Sequence, residues 1–119
     1  MRGLVNWKIW SGRVALCSTL SLMAGGAAFA DAPDAAVLEE GRALFQKNAT
    51  PACAVCHTLQ DAEATGPIGP DLDELQPDRD QVLAALRDGG GAMPSFAESL
   101  TQEQREALAD YVVWATHPQ

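Results

Sequence analysis

A single pentapeptide, Cys-Ala-Val-Cys-His at residues 53–57, restricts what this chain can fold into more than any other feature. Two thiols three residues apart can lie about one helical turn from each other, which suits thioether bonds to the two vinyl groups of one haem. His57 follows directly, where an imidazole nitrogen can reach the iron on one face. This spacing is the haem attachment motif, and it predicts a covalently bound haem c anchored by Cys53 and Cys56.

Three other uses of a Cys-x-x-Cys pair compete with haem. A thioredoxin-like redox dithiol belongs with a βαβ pattern, and the sequence shows no such pattern. A zinc site needs two further ligands, for which only His57 and His117 are available after residue 30. A structural disulfide would close a trivial loop and stabilise little by chain entropy. A small domain that lacks other cross-links gains more stability from a large apolar group at its centre.

The first 30 residues have the composition of a secretory signal peptide. Three basic residues accompany an apolar run at residues 14–23, and residues 28–30, Ala-Phe-Ala, form a small-x-small cleavage site. The run is shorter than the about 20 residues of a membrane span, although an uncleaved N-terminal anchor stays an alternative. We therefore expect a signal peptide over residues 1–30, a domain over residues 31–119, and a periplasmic location.

The predicted domain is strongly acidic. Three of the 8 basic residues lie before residue 31, whereas all 16 acidic residues follow it, so the domain has a formal net charge of −11. Nucleic-acid binding requires basic patches, and anionic membrane surfaces repel such a chain, so neither is expected as a partner. The charge serves either solubility in an extracytoplasmic space or steering toward a basic partner. We expect a monomer with no membrane span after cleavage.

Hydrophobic periodicity predicts an all-α domain with three main helices. The first covers residues 34–48, with Gly41 in its middle, where a missing side chain favours a close helix crossing. The second covers about residues 77–88, and the third starts at Thr101. Asp78 and Thr101 are each followed three residues later by glutamine, which is the capping-box spacing. The long loops between the helices are unusual in a compact domain and indicate a fold wrapped around one haem.

The second axial ligand follows by elimination, because a histidine-bound haem in an electron carrier takes a methionine or a second histidine. Met93 is the only methionine after residue 30. It lies in a loop, between a glycine run and Pro94. Methionine usually fills space in a protein core, and a loop position suits that role poorly. His117 is the rival, but it follows the last helix, where chains tend to fray. We expect Met93 to complete the ligation with His57.

The order of these features resembles the class I cytochromes c, the small mono-haem type. The resemblance spans nearly all of residues 31–119. It rests on an early helix with Gly41 and Phe45, the motif at 53–57, Gly69-Pro70-Asp71-Leu72, Met93-Pro94-Ser95-Phe96, and a closing helix with Leu108 and Tyr111. The stretch between the two axial ligands is short for the family, which suggests a compact bacterial version.

The resemblance implies roles for further residues. Pro70 would lend its backbone carbonyl to the other ring nitrogen of His57 and so fix the orientation of the ring. Leu72 and Phe96 would pack near the haem. The early helix would cross the last helix, and Trp114 would complete that contact, with a cover over the haem as the alternative.

Haem held by histidine and methionine has no open coordination position, which suits outer-sphere electron transfer better than oxygen chemistry. We therefore expect an electron carrier rather than an enzyme. It would pass one electron from a donor dehydrogenase or reductase to an acceptor oxidase or another cytochrome, through a haem edge exposed near the cysteines.

Two alternatives to a free carrier stay open. The first is a cytochrome subunit held tightly on a periplasmic dehydrogenase, which the acidic surface mildly disfavours because stable interfaces are apolar in their core. The second is a haem enzyme or gas sensor. It would require Met93 to leave the iron, and only His117 would be available as a distal acid–base group.

Overall fold

The computed structural model describes residues 32–118, and the predicted signal peptide lies outside them. Helices dominate, as the sequence predicts. The elements in chain order are α1 (Ala35–Ala43), β1 (Thr58–Leu59), β2 (Ala64–Thr65), α2 (Leu72–Leu75), α3 (Arg79–Asp88) and α4 (Gln102–Thr116). A π-helical turn, Leu44–Asn48, continues α1, and one 3₁₀ turn, Cys53–Val55, precedes β1.

Helix α1 begins after Asp34, whose carboxylate accepts a hydrogen bond from the backbone N–H of Ala36 at 2.8 Å, as an N-cap does. The sequence predicts one regular helix to Asn48, but the geometry becomes π-helical at Leu44. Short π-helical turns are frequent at functional sites. This one places Phe45, which is fully buried, in the wall of the cavity that holds the candidate site.

Helices α1 and α4 cross at close range, as the mid-helix glycine predicts. A Cβ atom at Gly41 would overlap the carbonyl oxygen of Ala107 and the Cβ of Tyr111. The Tyr111 ring packs edge-to-face on Phe45, with centroids 6.3 Å apart, and its hydroxyl donates to Asp61 Oδ2 at 2.6 Å. Burial, and then this hydrogen bond, raise the pKa of Tyr111 above its ordinary value. The Tyr111 hydroxyl thus ties α4 at this crossing to the loop between β1 and β2.

Helices α3 and α4 both start with the predicted capping boxes. Asp78 accepts from the backbone N–H of Gln81 at 2.8 Å, and the Gln81 side chain accepts from the Asp78 N–H at 2.9 Å. Thr101 and Gln104 make the same exchange at 3.2 and 3.0 Å. Each exchange satisfies two N–H groups that a helix start leaves unpaired, so both predicted starts are confirmed.

A small hairpin is the first departure from the predicted all-helical pattern. Strands β1 and β2 pair antiparallel, with Thr58 opposite Thr65 and Leu59 opposite Ala64. Strands of two residues are too short to show an alternation of period two. The sequence pattern therefore gave no sign of them.

The short helix α2 is the second departure. Its N-cap is Asp71, whose carboxylate accepts from two backbone N–H groups, and it ends at Gln76, which has a left-handed backbone with φ 46°. The Gln76 side-chain amide donates to the carbonyl of Thr116 at 2.9 Å. This bond ties α2 to the end of α4 and places Leu72 against the core, where it is nearly buried.

The largest fully buried side chains are Tyr111, Phe45, Leu59 and Leu108. Phe45 and Leu108 also line a large cavity, so the core forms one wall of the candidate site. Within residues 32–118, no helix combines the length and the apolar character that crossing a membrane requires.

Candidate haem-binding site

One cavity of about 460 Å³ gathers the site residues that the sequence predicts. Its volume is in the range of cofactor and ligand sites, and no aspartate, glutamate, lysine or arginine of residues 32–118 lines it. All seven predicted site residues lie in its wall: Cys53, Cys56, His57, Pro70, Leu72, Met93 and Phe96. Three separate segments, 53–57, 70–72 and 93–96, thus converge on one uncharged space.

The attachment segment is a 3₁₀ turn that holds both cysteines and the histidine on one side. The backbone N–H groups of Cys56 and His57 both donate to the carbonyl of Cys53, at 3.1 and 2.9 Å. His57 Nδ1 lies 2.8 Å from the carbonyl oxygen of Pro70. Because a carbonyl only accepts, Nδ1 carries the proton and Nε2 keeps its lone pair for a metal. The contact that the family resemblance implies for Pro70 is present.

The loop at residues 66–70 wraps tightly round this turn. The N–H groups of Ile68 and Gly69 both donate to the carbonyl of Cys56, at 3.1 and 2.7 Å. A Cβ at Gly66 would lie 2.5 Å from the carbonyl carbon of Cys56, and a Cβ at Gly69 would lie 2.6 Å from His57 Cε1. Only glycine allows the loop to approach so closely.

Both cysteines are free thiols in the structure. Burial raises the pKa of the Cys53 thiol to about 11, so at neutral pH it is protonated, unlike the reactive thiolate of a redox dithiol. Among residues 32–118, no group of three or more His, Cys, Asp or Glu side chains is placed to hold a metal ion. The structure therefore supports neither the disulfide nor the zinc alternative.

Met93 follows a two-residue turn at the end of α3. Its N–H and C=O both pair with Gly90, at 2.9 Å each. Gly91 has φ 57°, the positive φ that the first central residue of a II′ turn requires. Beyond Met93, the N–H of Phe96 donates to the carbonyl of Leu86 at 2.7 Å. The methionine is thus carried by backbone that is hydrogen-bonded to α3.

The rival ligand and the remaining aromatic residue lie elsewhere. His117 is not in the cavity wall; its Nδ1 lies 2.9 Å from the carbonyl of Val113. Trp114 stacks on Tyr111, with centroids 6.5 Å apart and planes at 29°, and it borders a second, smaller cavity beside α1. The structure brings Met93, and not His117, into the same cavity as His57.

Several wall residues were not identified from the sequence. The cavity is also bordered by Ile68, Leu75, Pro77, Gln81 and Ala85, among others. Two apolar residues of α3, Val82 and Leu86, line it as well. Ile68 and Leu75 lie in short segments where periodicity carries no information.

The donor set and the wall fit one kind of group. Two thiols for thioether bonds, an imidazole with a free Nε2 and a soft thioether surround an uncharged space, which suits covalently bound haem. A helical fold that encloses such a site is that of a c-type cytochrome.

Comparisons with known proteins agree with this class. The family described as "Cytochrome C oxidase, cbb3-type, subunit III" matches residues 36–112, and the chain belongs to this family of cytochrome c domains. The crystal structure of the c-type cytochrome SorU from Sinorhizobium meliloti superposes with a TM-score of 0.67 at 47% identity, covering 70% of this chain and 94% of that one.

Two sequence relatives place the same domain in different contexts. Cytochrome c-551 from Halorhodospira halochloris is 25% identical over 75 residues, 62% of this chain and 95% of that protein. Quinohemoprotein alcohol dehydrogenase ADH-IIG from Pseudomonas putida is 31% identical over 87 residues, 71% of this chain. The chain spans only 11% of the length of that enzyme. The chain is thus a cytochrome c domain that carries electrons on covalently bound haem c.

Proposed function

We propose that the chain is a periplasmic carrier of single electrons in which His57 and Met93 are the axial ligands of the haem iron. The observation that carries this proposal is that both residues line one uncharged cavity together with Cys53 and Cys56. Haem c supplies an iron centre that gains and loses one electron.

The chain's own groups would tune that centre in three ways. The hydrogen bond from His57 Nδ1 to Pro70 holds the ring in one orientation and makes Nε2 a better donor. The Met93 thioether is a soft ligand that favours ferrous iron. The uncharged wall, to which Leu72 and Phe96 contribute, excludes water and disfavours the extra positive charge of the ferric state. Together these groups would hold the haem, set its potential and suit it to electron transfer.

A visible spectrum of the ferric protein tests the ligand assignment. Methionine bound to ferric haem produces a weak band near the red end of the spectrum. We expect this band in the native protein, its loss in Met93→Ala, and its survival in the matched control His117→Ala. A band that is missing from the native protein, or that survives in Met93→Ala, contradicts the proposal.

We also propose that residues 1–30 direct export to the periplasm and are then removed. The test is the intact mass of the protein exported by cells that mature c-type cytochromes. The expected mass is that of a polypeptide starting at Asp31 with one added haem. A mass that includes the first 30 residues would favour the uncleaved anchor, and a mass without haem would contradict the proposed function as a whole.

The likeness to a quinohemoprotein alcohol dehydrogenase supports a second candidate, a cytochrome held on a periplasmic dehydrogenase. Its site residues would be the same, and only the lifetime of the complex would differ. Gel filtration of the native protein from its host separates the two candidates. A free carrier elutes at the size of the domain, whereas a stable subunit elutes with its enzyme.

A further inference from the structure

The wall of the haem cavity contains very few polar side chains. Among the described residues that line it, only His57 and Gln81 have nitrogen or oxygen atoms in their side chains. Both ring nitrogens of His57 have a role, since Nδ1 lies 2.8 Å from the Pro70 carbonyl oxygen and Nε2 keeps its lone pair for the iron. Gln81, on α3, is therefore a polar wall residue whose role in the site is still to be explained.

The capping box of α3 determines which end of the Gln81 amide is available. Its Oε1 accepts from the backbone N–H of Asp78 at 2.9 Å. Because an N–H group can meet only an acceptor, this contact distinguishes the amide oxygen from the amide nitrogen. Within residues 32–118 it is the one hydrogen bond of the Gln81 side chain. Both N–H groups of Nε2 therefore stay available as donors to a group in the cavity.

Haem c supplies an acceptor that suits these donors. Its porphyrin is apolar except for two propionates, which leave the ring at the edge opposite its two vinyl groups. Cys53 and Cys56, which would bond the vinyl edge, flank a 3₁₀ turn, whereas Gln81 belongs to a different element of the wall, α3. A carboxylate at the border of an apolar cavity is costly to bury unless it accepts hydrogen bonds.

The charges near Gln81 leave a neutral donor as the available partner for such a carboxylate. Arginine and lysine make the strongest hydrogen bonds to carboxylates, but none of residues 32–118 that line the cavity is basic. The base closest to Gln81 in sequence is Arg79, whose Nε lies 2.6 Å from Asp110 Oδ1. Asp78 and Asp80, on either side of Arg79, are acidic. Gln81 is thus the wall side chain that can donate to a propionate.

We infer that the side-chain amide of Gln81 donates a hydrogen bond to a haem propionate and so holds the acidic edge of the haem against α3. The inference rests on the haem site proposed above and adds a binding residue to it. One amide then has two roles, because its oxygen caps the start of α3 and its nitrogen binds the cofactor. The hydrogen bond favours the ionised form of the propionate.

Two matched pairs of variants test this inference. Gln81→Glu keeps an acceptor for the capping box, which takes glutamate or glutamine, but has no N–H donor. Gln104→Glu makes the same change in the capping box of α4, and Gln104 does not line the cavity. Gln81→Leu and Gln104→Leu remove donor and acceptor at the same two positions without adding charge. The members of each pair therefore match in net charge and in helix capping.

The first measurement is the infrared spectrum of the holoprotein with carbon-13 in the haem propionate carboxylates. A hydrogen bond lowers the frequency of the antisymmetric carboxylate stretch. At about pH 8, where carboxylates are ionised, one propionate band should move to higher frequency in both Gln81 variants. The two Gln104 variants should keep the native spectrum. Propionate bands that stay unchanged in the Gln81 variants overturn the inference, because water or backbone N–H groups would then hold both propionates.

The second measurement is the reduction potential of the haem at the same pH. A glutamate at position 81 would add negative charge beside the haem, which stabilises the ferric state. The potential should therefore fall further in Gln81→Glu than in Gln104→Glu. Equal changes would place residue 81 away from the haem and overturn the inference. A native protein that lacks haem, or lacks the red-end band, contradicts the proposed function instead.

Discussion

His57 and Met93 reach the same cavity with different kinds of support. The His57 ring is fixed as a side chain, since its Nδ1 donates to Pro70 at 2.8 Å and Gly69 lies against its face. Met93 is fixed through its main chain, which pairs twice with Gly90. The His57 side chain is oriented by the groups that touch its ring, and the Met93 side chain by the position that the backbone gives its Cα.

The chemistry of the two side chains explains this difference. Imidazole has a second nitrogen that can be held by a hydrogen bond while the first binds a metal. A thioether sulfur is only a weak acceptor, so hydrogen bonds to it offer little control of its position. Substitutions near His57 should therefore change the orientation of its ring. Substitutions near Met93 should instead displace its side chain by changing the backbone conformation.

Gly69→Ala should have the largest effect, and it acts on the His57 side. The new Cβ would lie 2.6 to 3.1 Å from three atoms of the ring, so the ring must shift and its bond to Pro70 must lengthen. We expect the free energy of unfolding to fall by about 2 kcal/mol and less haem to be incorporated. Urea denaturation and the haem content per polypeptide measure the two effects.

Gly90→Ala is the matched control for this substitution. A Cβ at Gly90 has no atom within 4 Å, and the positive φ values of this turn belong to Gly89 and Gly91. The control should keep its haem and lose less than about 0.5 kcal/mol. If Gly69→Ala is equally harmless, close packing against the ring is not what orients His57.

Tyr111→Phe should have the second largest effect. It should lower the stability of the whole domain without displacing His57 or Met93. It removes the hydroxyl that donates to Asp61 at the α1–α4 crossing, which should cost about 1–2 kcal/mol. Haem content and the red-end band should not change. A loss of that band would show that the crossing and the Met93 turn are not independent.

The same tyrosine makes stability depend on pH. Burial raises the pKa of Tyr111 in the folded protein, so the unfolded chain loses the phenolic proton at lower pH. The stabilisation is complete below about pH 10, the ordinary tyrosine value, and is lost as the pH rises above it, because the unfolded state then binds fewer protons. With one tyrosine in the chain, ultraviolet titration follows it directly. This pH dependence should be absent from Tyr111→Phe, and ionisation near pH 10 in the folded protein contradicts it.

Gly91→Ala should have a smaller effect, confined to the Met93 side. Its φ of 57° costs a residue with a side chain about 1 kcal/mol, while no neighbouring atom lies within 4 Å to add a clash. We expect a weaker red-end band with haem content unchanged. Gly91→Asn should recover part of the band, because asparagine adopts positive φ more readily. An equal loss in Gly90→Ala would mean that the turn does not act through φ.

The sequence predicts the surroundings of His57 better than those of Met93, because contacts to its ring hold His57 whereas backbone conformation places Met93. The motif of two cysteines and a histidine is a short run of reactive residues that can be recognised directly. The family resemblance adds the contact between His57 and Pro70. The turn that places Met93 depends on a single backbone angle at Gly91, which a glycine run permits but does not specify. The ligand role of both residues stays a prediction.

The fold shows a similar limit. The capping boxes of α3 and α4 and the crossing at Gly41 follow from residues at fixed spacings. The π-helical turn after α1, each strand of the hairpin and α2 span two to five residues, which is too few for a hydrophobic periodicity to be recognised. The place of Leu75 in the cavity wall depends on one such segment, α2, and could not be predicted.

Ser95→Ala should have the smallest effect and tests whether a side chain also holds the Met93 segment. The Ser95 hydroxyl donates to the carbonyl of Arg87 at 2.5 Å and accepts from the N–H of Ala97 at 3.2 Å. Because the hydroxyl is exposed, water can replace it, and we expect a loss of about 0.5 kcal/mol in urea denaturation with the red-end band intact. Ser99→Ala, at another exposed serine, is the control. If Ser95→Ala weakens the band as much as Gly91→Ala does, the position of Met93 also depends on a side-chain hydrogen bond. Met93 would then not be held through its main chain alone, and it would no longer differ from His57 in this respect.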